Sequence, residues 1–252
     1  MSSMATVGMV FVCVFGGALL GIALRWFVPE RHLSAESKTS VMLGVGLLTT
    51  MAALVLGLLI ASAKSSHDIR NSELTQMAAG IVMLDRALAH YGPETRDARD
   101  VLRRSVLRVI EQTWPSKGAA RPPELNPRAA RAEDLYDMIQ ALSPKSDDQR
   151  FLRTEALKMG AEVARTRWLL FAQGGSSIPA PFLAILVFWV TVIFFSFGLF
   201  APSNSVVVAT LLICALSVSA AIFLILELDE SFQGLIQISS APLRMAVENL
   251  GH

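Results

Sequence analysis

The sequence VMLGVGLLTTMAALVLGLLIASA, residues 41–63, decides the fold. It has no charged residue and is long enough to cross a bilayer, which takes about 20 apolar residues. No proline occurs between Pro29 and Pro93, and after residue 63 apolar side chains recur at alternating steps of three and four, which is typical of a heptad seam. The seam residues are Leu74, Met77, Ile81, Leu84, Leu88 and Tyr91. The pattern predicts one long helix that begins in lipid and ends in water, where its seam meets copies of itself from neighbouring subunits.

Four segments are apolar enough to cross a membrane. Hydrophobic residues make up 53% of the chain, and 18 of the 22 Lys and Arg fall between Lys64 and Trp168. We therefore predict an all-α membrane protein with four transmembrane helices and a helical insert continuous with the second and third of them. The transmembrane helices are expected at residues 7–28, 41–63, 178–200 and 206–226. The insert is expected at residues 64–177, and an amphipathic tail at residues 227–252.

The positions of the basic residues predict an orientation. Cations near the membrane are more numerous on the insert side, and such residues favour the cytoplasm. With four crossings, both termini then share the cytoplasm with the insert, in an inner (plasma) membrane. Cys13 and Cys214 both lie inside apolar segments, so the sequence gives no disulfide framework.

Helix start signals divide the insert. A helix is expected from Glu94 to about Thr113, followed by a proline-rich linker. Asn126 before Pro127 predicts an N-cap, and Ser143 before Pro144 predicts another that starts a helix reaching about Ala172. In the tail, Pro242 is expected to start a helix lying at the membrane interface.

Small residues mark helix contacts within the membrane. Gly17 and Gly21 predict a close approach by another helix. The second crossing has one face made of small residues, where either a neighbouring backbone comes close or a lumen is lined. That face contains Gly46, Thr50, Ala53, Gly57 and Ala61. The third crossing is rich in Phe, which favours a lipid-facing helix, whereas the fourth is small and mildly polar and is expected inside the bundle.

Catalytic chemistry is not indicated. The chain has no Walker loop, His-Glu-x-x-His, Gly-x-Ser-x-Gly or Cys-x-x-Cys motif, and its four histidines are scattered. We expect no enzyme activity, no cofactor, no metal site and no nucleic-acid partner.

Charged residues lie where two crossings meet the cytoplasm. They suggest a vestibule around an ion path, because rings of like charge at a symmetric axis set ion selectivity. They fit equally well as interfacial anchors that pair with each other. The residues are Lys64, His67, Arg70, Glu227, Asp229 and Glu230.

Two blocks carry a family resemblance. The block GLLIASAKSSHDIRNSELTQMAAGIVMLDRALAHYGPETRDAR begins at Gly57, and the block APSNSVVVATLLICALSVSAAIFLILELDESFQGLIQISSAPLR begins at Ala201. Together they resemble the bestrophin-like domain family of bacterial membrane proteins, except that Ser231 stands where a proline is expected. The resemblance to bestrophins implies a homopentameric anion channel with an apolar neck on the second crossing. By that analogy the neck comprises Ala53, Leu56 and Ile60, and Thr49 continues the same heptad positions.

Two functions remain open. The first is a homo-oligomeric ion channel, a tetramer or pentamer in membrane lipid that passes inorganic ions through an apolar constriction. The resemblance favours anions, whereas the acids at the end of the fourth crossing favour cations. The alternative is a non-conducting scaffold or sensor whose coiled-coil insert recruits a partner.

Overall fold

The computed structural model describes residues 3–27, 35–114, 132–172, 178–202, 204–229, 232 and 236–251. Within these ranges the chain forms eight α-helices and no strand, as the all-α prediction requires. A short 3₁₀ turn, Pro93–Thr95, joins the second helix to the third. The α-helices are α1 (Ser3–Leu24), α2 (Ala35–Tyr91), α3 (Arg96–Thr113), α4 (Ala132–Gln140), α5 (Asp147–Ala172), α6 (Ala180–Phe200), α7 (Ser205–Asp229) and α8 (Ala241–Asn249).

The chain divides into two compact units. The first, here called the membrane unit, comprises Met1–Ser66 and Ser176–Ile236. The second, here called the helical unit, comprises His67–Gly175 and Gln237–His252. Helix α2 belongs to both, and it is helical at every residue from Ala35 to Tyr91, including the change from apolar to polar sequence after residue 63. It begins six residues before the predicted start at Val41.

Four helices of the membrane unit are long and apolar enough to span a bilayer, which confirms the four predicted crossings. The spans are Met4–Leu24, the apolar part of Lys38–Tyr91, Ala180–Phe200 and Ser205–Asp229. Helix α1 packs along α6 and α7. The core of this unit contains Val14, Ala18, Leu186, Ala215 and Ile222 among its most buried side chains.

Glycines let α1 and α6 approach closely. A Cβ added at Gly17 would lie 2.9 Å from the Thr191 methyl, and one added at Gly21 would collide with the carbonyl oxygen of Phe195. On the opposite helix, a Cβ at Gly198 would collide with the carbonyl oxygen of Ala18. The helix contact predicted from Gly17 and Gly21 is therefore present, with α6 as the partner.

The phenylalanine content of α6 suggested a helix that faces lipid, but the structure buries one side of it. One side is buried against α1 and includes Leu186, Val190 and Gly198. Phe188 on the other side is 64% exposed. The small residues of α1 create the room that this bulky helix needs, an effect that composition alone does not predict. That α6 faces lipid in an assembly stays a prediction.

The heptad seam of α2 is the core of the helical unit rather than a coiled coil between subunits. Leu74, Ile81, Leu84 and Leu88 are each at most 3% exposed within the single chain. They belong to a bundle in which α3 contributes its own buried row, Ala98, Leu102, Val106 and Ile110. A side chain already enclosed by its own chain has no surface left for a second copy. The prediction that this seam joins neighbouring subunits is therefore wrong.

One glutamine joins the start of α5 to the end of α2. Ser146 accepts a hydrogen bond from the backbone N–H of Gln149 at 3.1 Å, so the N-cap is Ser146 and not Ser143 as predicted. The Gln149 side chain in turn donates to the Tyr91 carbonyl at 3.0 Å and accepts from the Lys145 N–H at 2.7 Å. The predicted linker and the cap at Asn126 fall on residues 115–131, outside the described part of the chain.

Helix α8 packs its apolar side on the helical unit, whereas the sequence analysis expected that side to meet a membrane surface. Leu243, Ala246 and Val247 are buried, and α8 packs against α3. The Trp114 indole N–H donates to the Ile238 carbonyl at 2.9 Å, which fixes the approach to α8. The amphipathic pattern was correct, but its apolar side meets protein rather than lipid.

Candidate functional site

The membrane half of α2 presents three faces. The first is buried in the membrane unit and contains Val45, Ala52, Leu59 and Ala63. At 3.6 residues per turn these four positions lie within an arc of about 40°. Partly buried neighbours of these residues also pack against this core, so only the exposed remainder of the circumference is available to contacts outside this chain.

The predicted neck residues lie on the second face, beside the buried one. Thr49, Ala53 and Ile60 are exposed, Ile60 at 42%, whereas Leu56 is partly buried and packs against the core. The four share an arc of about 60°. The structure thus brings them together on one helix face, with Leu56 at its inner edge.

The third face is the small face predicted from the sequence. Its five residues, Gly46, Thr50, Ala53, Gly57 and Ala61, are all exposed, and Ala53 belongs both to this face and to the neck face, at the border between them. A Cβ added at Gly46 or Gly57 would have no atom within 4 Å. Because Gly17 and Gly21 of α1 are covered by α6 and these glycines are not, the small face is open in the single chain.

Hydroxyl groups on α2 bond to their own helix. The Thr49 hydroxyl donates to the Val45 carbonyl at 2.7 Å, and the Thr50 hydroxyl donates to the Gly46 carbonyl at 3.0 Å. Bonds of this kind reduce the cost of placing a hydroxyl in a dry environment. Both threonines can therefore face lipid, protein or a narrow lumen.

The predicted vestibule residues are divided between the two units. Lys64, Glu227 and Asp229 belong to the membrane unit, and His67 and Arg70 belong to the helical unit. Glu227 and Asp229 are only 4% and 5% exposed, and neither is without a partner. This burial favours the anchoring interpretation for the two acids over an open acidic mouth. Glu230 lies outside the described residues, and the vestibule as a whole stays a prediction.

Comparison with known proteins identifies the family. The model of the bestrophin-like domain matches residues 12–243. This chain belongs to the bestrophin-like family. The family assignment made from the two sequence blocks is thereby confirmed.

Solved structures share the fold of this bestrophin-like chain. A crystal structure of a bacterial bestrophin homologue from Klebsiella pneumoniae, carrying one substitution, is similar with a TM-score of 0.70 at 15% identity, covering 99% of this chain and 97% of that one. A second variant of that protein gives a TM-score of 0.59 at 15% identity, with 97% of each chain covered. No curated protein matches this sequence.

Sequence reasoning missed two features of the bestrophin-like chain. Asp85, directly after Leu84 of the seam, is 1% exposed and pairs with Arg99, whose pKa is raised by the hydrogen bond to that carboxylate. Arg167 lines a cleft, and burial lowers its pKa. The sequence signal for the first feature is a charged residue that flanks the seam, whereas the second feature depends on the packing of five helices. Among the described residues no group of three or more His, Cys, Asp or Glu could hold a metal ion.

Proposed function

We propose that this chain assembles as a homo-oligomer, a tetramer or pentamer, and forms a membrane ion channel whose path is lined by α2. The observation that carries the proposal is the exposure of Thr49, Ala53 and Ile60 on a helix inside the membrane unit. Family membership and the shared fold support it.

The three faces of α2 suit a ring of subunits. A helix that lines a symmetric path needs one face toward its own subunit, one toward the lumen and one toward the next subunit. The buried face supplies the first and the neck face the second. Exposed glycines at positions 46 and 57 supply the third, since small residues let neighbouring backbones pack in lipid.

The neck is proposed as the gate. Ala53, Leu56 and Ile60 are apolar, and an apolar constriction can close a pore by expelling water. Ile60 is the bulkiest exposed residue of this face and lies nearest to Lys64. Around a symmetric axis its side chains would form the narrowest ring.

The proposed permeating ion is an inorganic anion. The sequence argument for cations rested on acids at the end of α7, and the two that the structure describes are buried. Lys64 is exposed one turn beyond Ile60. A ring of such cations would attract anions.

The remaining features of the proposal follow from the orientation argument. The channel lies in the inner (plasma) membrane with its termini and helical unit in the cytoplasm, where loops carry more Lys and Arg. Lipid and neighbouring copies are its partners, and neither catalysis nor nucleic-acid binding forms part of the proposed function.

Reconstitution into planar bilayers tests the proposal. Wild-type protein should conduct, and under a salt gradient the reversal potential should move toward that of the anion. Ile60→Ala should raise the conductance or make it leak, whereas Leu54→Ala, an exposed leucine about 120° away on the same helix, should leave it unchanged. Absence of current under every gradient and voltage would instead favour the non-conducting scaffold.

A further inference from the structure

Helices α1 and α6 run parallel, and an open groove lies between their N-terminal halves. The direction follows from the close contacts, because Gly17 meets Thr191 and Gly21 meets Phe195, so residue numbers rise together along both helices. The groove is lined by residues of α1 and α6 that lie between these contacts and the two N-termini. Gly17 and Thr191 belong to the lining and also touch each other, so they close its inner end.

The groove is about as deep as one leaflet of a bilayer. On α6 its lining runs from Ala180 to Thr191, a length of about 17 Å at 1.5 Å per residue. The hydrocarbon core of a bilayer is about 30 Å thick, so one leaflet accounts for about 15 Å. Thr191 lies halfway along the membrane span Ala180–Phe200. The groove therefore starts near the membrane surface and ends near the middle of the bilayer.

The lining of the groove suits an uncharged, apolar occupant. It contains no Asp, Glu, Lys, Arg or His. Val10 is buried and Leu183 packs against the same core, whereas Phe188 is 64% exposed. The Thr191 hydroxyl at the inner end already donates to the Val187 carbonyl at 2.7 Å. A charged occupant would lose its hydration here without gaining an ionic partner, whereas a hydrocarbon chain would lose nothing.

We propose that one acyl chain of a phospholipid occupies this groove, with its methyl end against Gly17 and Thr191. A chain that touches two helices makes more van der Waals contacts than a chain against one convex helix surface. This lipid should therefore exchange more slowly than the rest of the lipid around the protein. The site requires the membrane unit alone and would exist in a non-conducting protein.

The size of the groove favours a lipid chain over a second copy of the protein. A transmembrane helix from another subunit would cross both leaflets, but the groove ends near the bilayer middle. A stable protein interface takes about 20–30 residues a side, whereas 14 residues line the groove. The groove is thus too short and too small to hold a neighbouring subunit by itself.

Retention of lipid through purification tests the site. Full-length protein is washed in detergent to remove loosely held lipid, and native mass spectrometry counts the phospholipids that remain on each subunit. Gly16→Leu adds bulk inside the groove, where a Cβ would have no atom within 4 Å, and should weaken retention by roughly tenfold. Gly8→Leu makes the same change at an equally open position of α1 outside the lining and should leave retention unchanged.

Photocrosslinking of the wild-type protein locates the chain and requires no variant to fold. The protein is reconstituted with a phospholipid that carries a diazirine near the end of one acyl chain, washed in detergent and then irradiated. Crosslinks should fall on lining residues near the inner end, such as Cys13 and Val187. Ile213 of α7, which is 63% exposed and outside the groove, should carry none.

The proposal requires a retained phospholipid that Gly16→Leu displaces and Gly8→Leu does not. It would be overturned by washed wild-type protein without phospholipid, by a free fatty acid in its place, or by crosslinks confined to residues outside the groove. Equal retention in the two glycine variants would also overturn it. Dissociation of the oligomer by Gly16→Leu alone would identify a second copy of the chain as the occupant and would contradict the lipid assignment.

Discussion

The guanidinium of Arg99 holds the carboxylate of Asp85 through two hydrogen bonds, Nε to Oδ1 at 2.7 Å and Nη2 to Oδ2 at 2.8 Å. Asp85 lies in α2 and is 1% exposed, and Arg99 lies in the first turn of α3. The backbone N–H of Gly251 also reaches the same carboxylate, at 3.5 Å. One buried charge thus ties together α2, α3 and the residues that follow α8.

Replacing Arg99 should destabilise the helical unit strongly. Arg99→Met leaves the carboxylate of Asp85 buried without its cation, which costs about 3–5 kcal/mol of unfolding free energy. Arg103→Met removes an exposed arginine of the same helix and should change stability by no more than about 0.5 kcal/mol. Thermal unfolding of the two variants in detergent measures the difference. Equal melting temperatures would contradict the assigned role of the pair.

Gln149 should matter more than its partly exposed position suggests. Gln149→Leu removes the hydrogen bond to the Tyr91 carbonyl and the bond from the Lys145 N–H. We expect a loss of about 1–2 kcal/mol, roughly one net hydrogen bond and part of a cap. Gln76→Leu breaks one exposed side-chain bond to Ser72 at 3.3 Å and serves as the control. Chemical denaturation measures the free energy of unfolding of both variants. Equal losses would contradict the role assigned to Gln149 in joining α5 to α2.

The α1 glycines should differ sharply in their tolerance of a methyl group. Gly21→Ala would push α1 away from Phe195 of α6, at a cost of about 1–3 kcal/mol. Gly8→Ala adds the same atom where nothing lies within 4 Å and should be near neutral. A thermal melt of both variants compares the two sites directly, and a stable Gly21→Ala protein would show that the helices do not meet as described.

Bulk on the small face should disturb assembly without unfolding the chain. Gly57→Leu fills space that is open in one subunit and is proposed to hold the next. We expect dissociated protein in detergent, with helicity kept. Leu47→Phe adds bulk to an exposed neighbouring sector and should leave the oligomer intact. Light scattering of both variants provides the mass, and an unchanged Gly57→Leu oligomer would remove this face from the interface.

Periodicity in the sequence predicted which residues are buried, but it did not identify what buries them. The seam from Leu74 to Tyr91 has the spacing of a coiled coil, yet α3, α4, α5 and α8 of the same chain enclose it. A heptad records only that one side is apolar, and the partner depends on how distant segments fold back. The apolar side of α8 was misassigned to the membrane for the same reason.

Sequence signals that involve only a few neighbouring residues predicted the structure more accurately than the heptad pattern did. Gly17 and Gly21 predicted a close helix contact because only small residues permit one. The N-cap of α5 was predicted three residues too early because Ser143 and Ser146 both suit an N-cap. Gln149, three residues after Ser146, completes the capping-box pattern and could have decided between them.

Cysteine accessibility tests most directly whether α2 lines a conducting path. Cys13 and Cys214 are first replaced by alanine, and single cysteines are then introduced at Ala53, Leu54 and Ile60. Our account predicts that a charged, water-soluble thiol reagent changes the current through Ala53→Cys and Ile60→Cys channels and leaves Leu54→Cys channels unaffected. Modification of Leu54→Cys alone, or no current from any of these proteins, would contradict it.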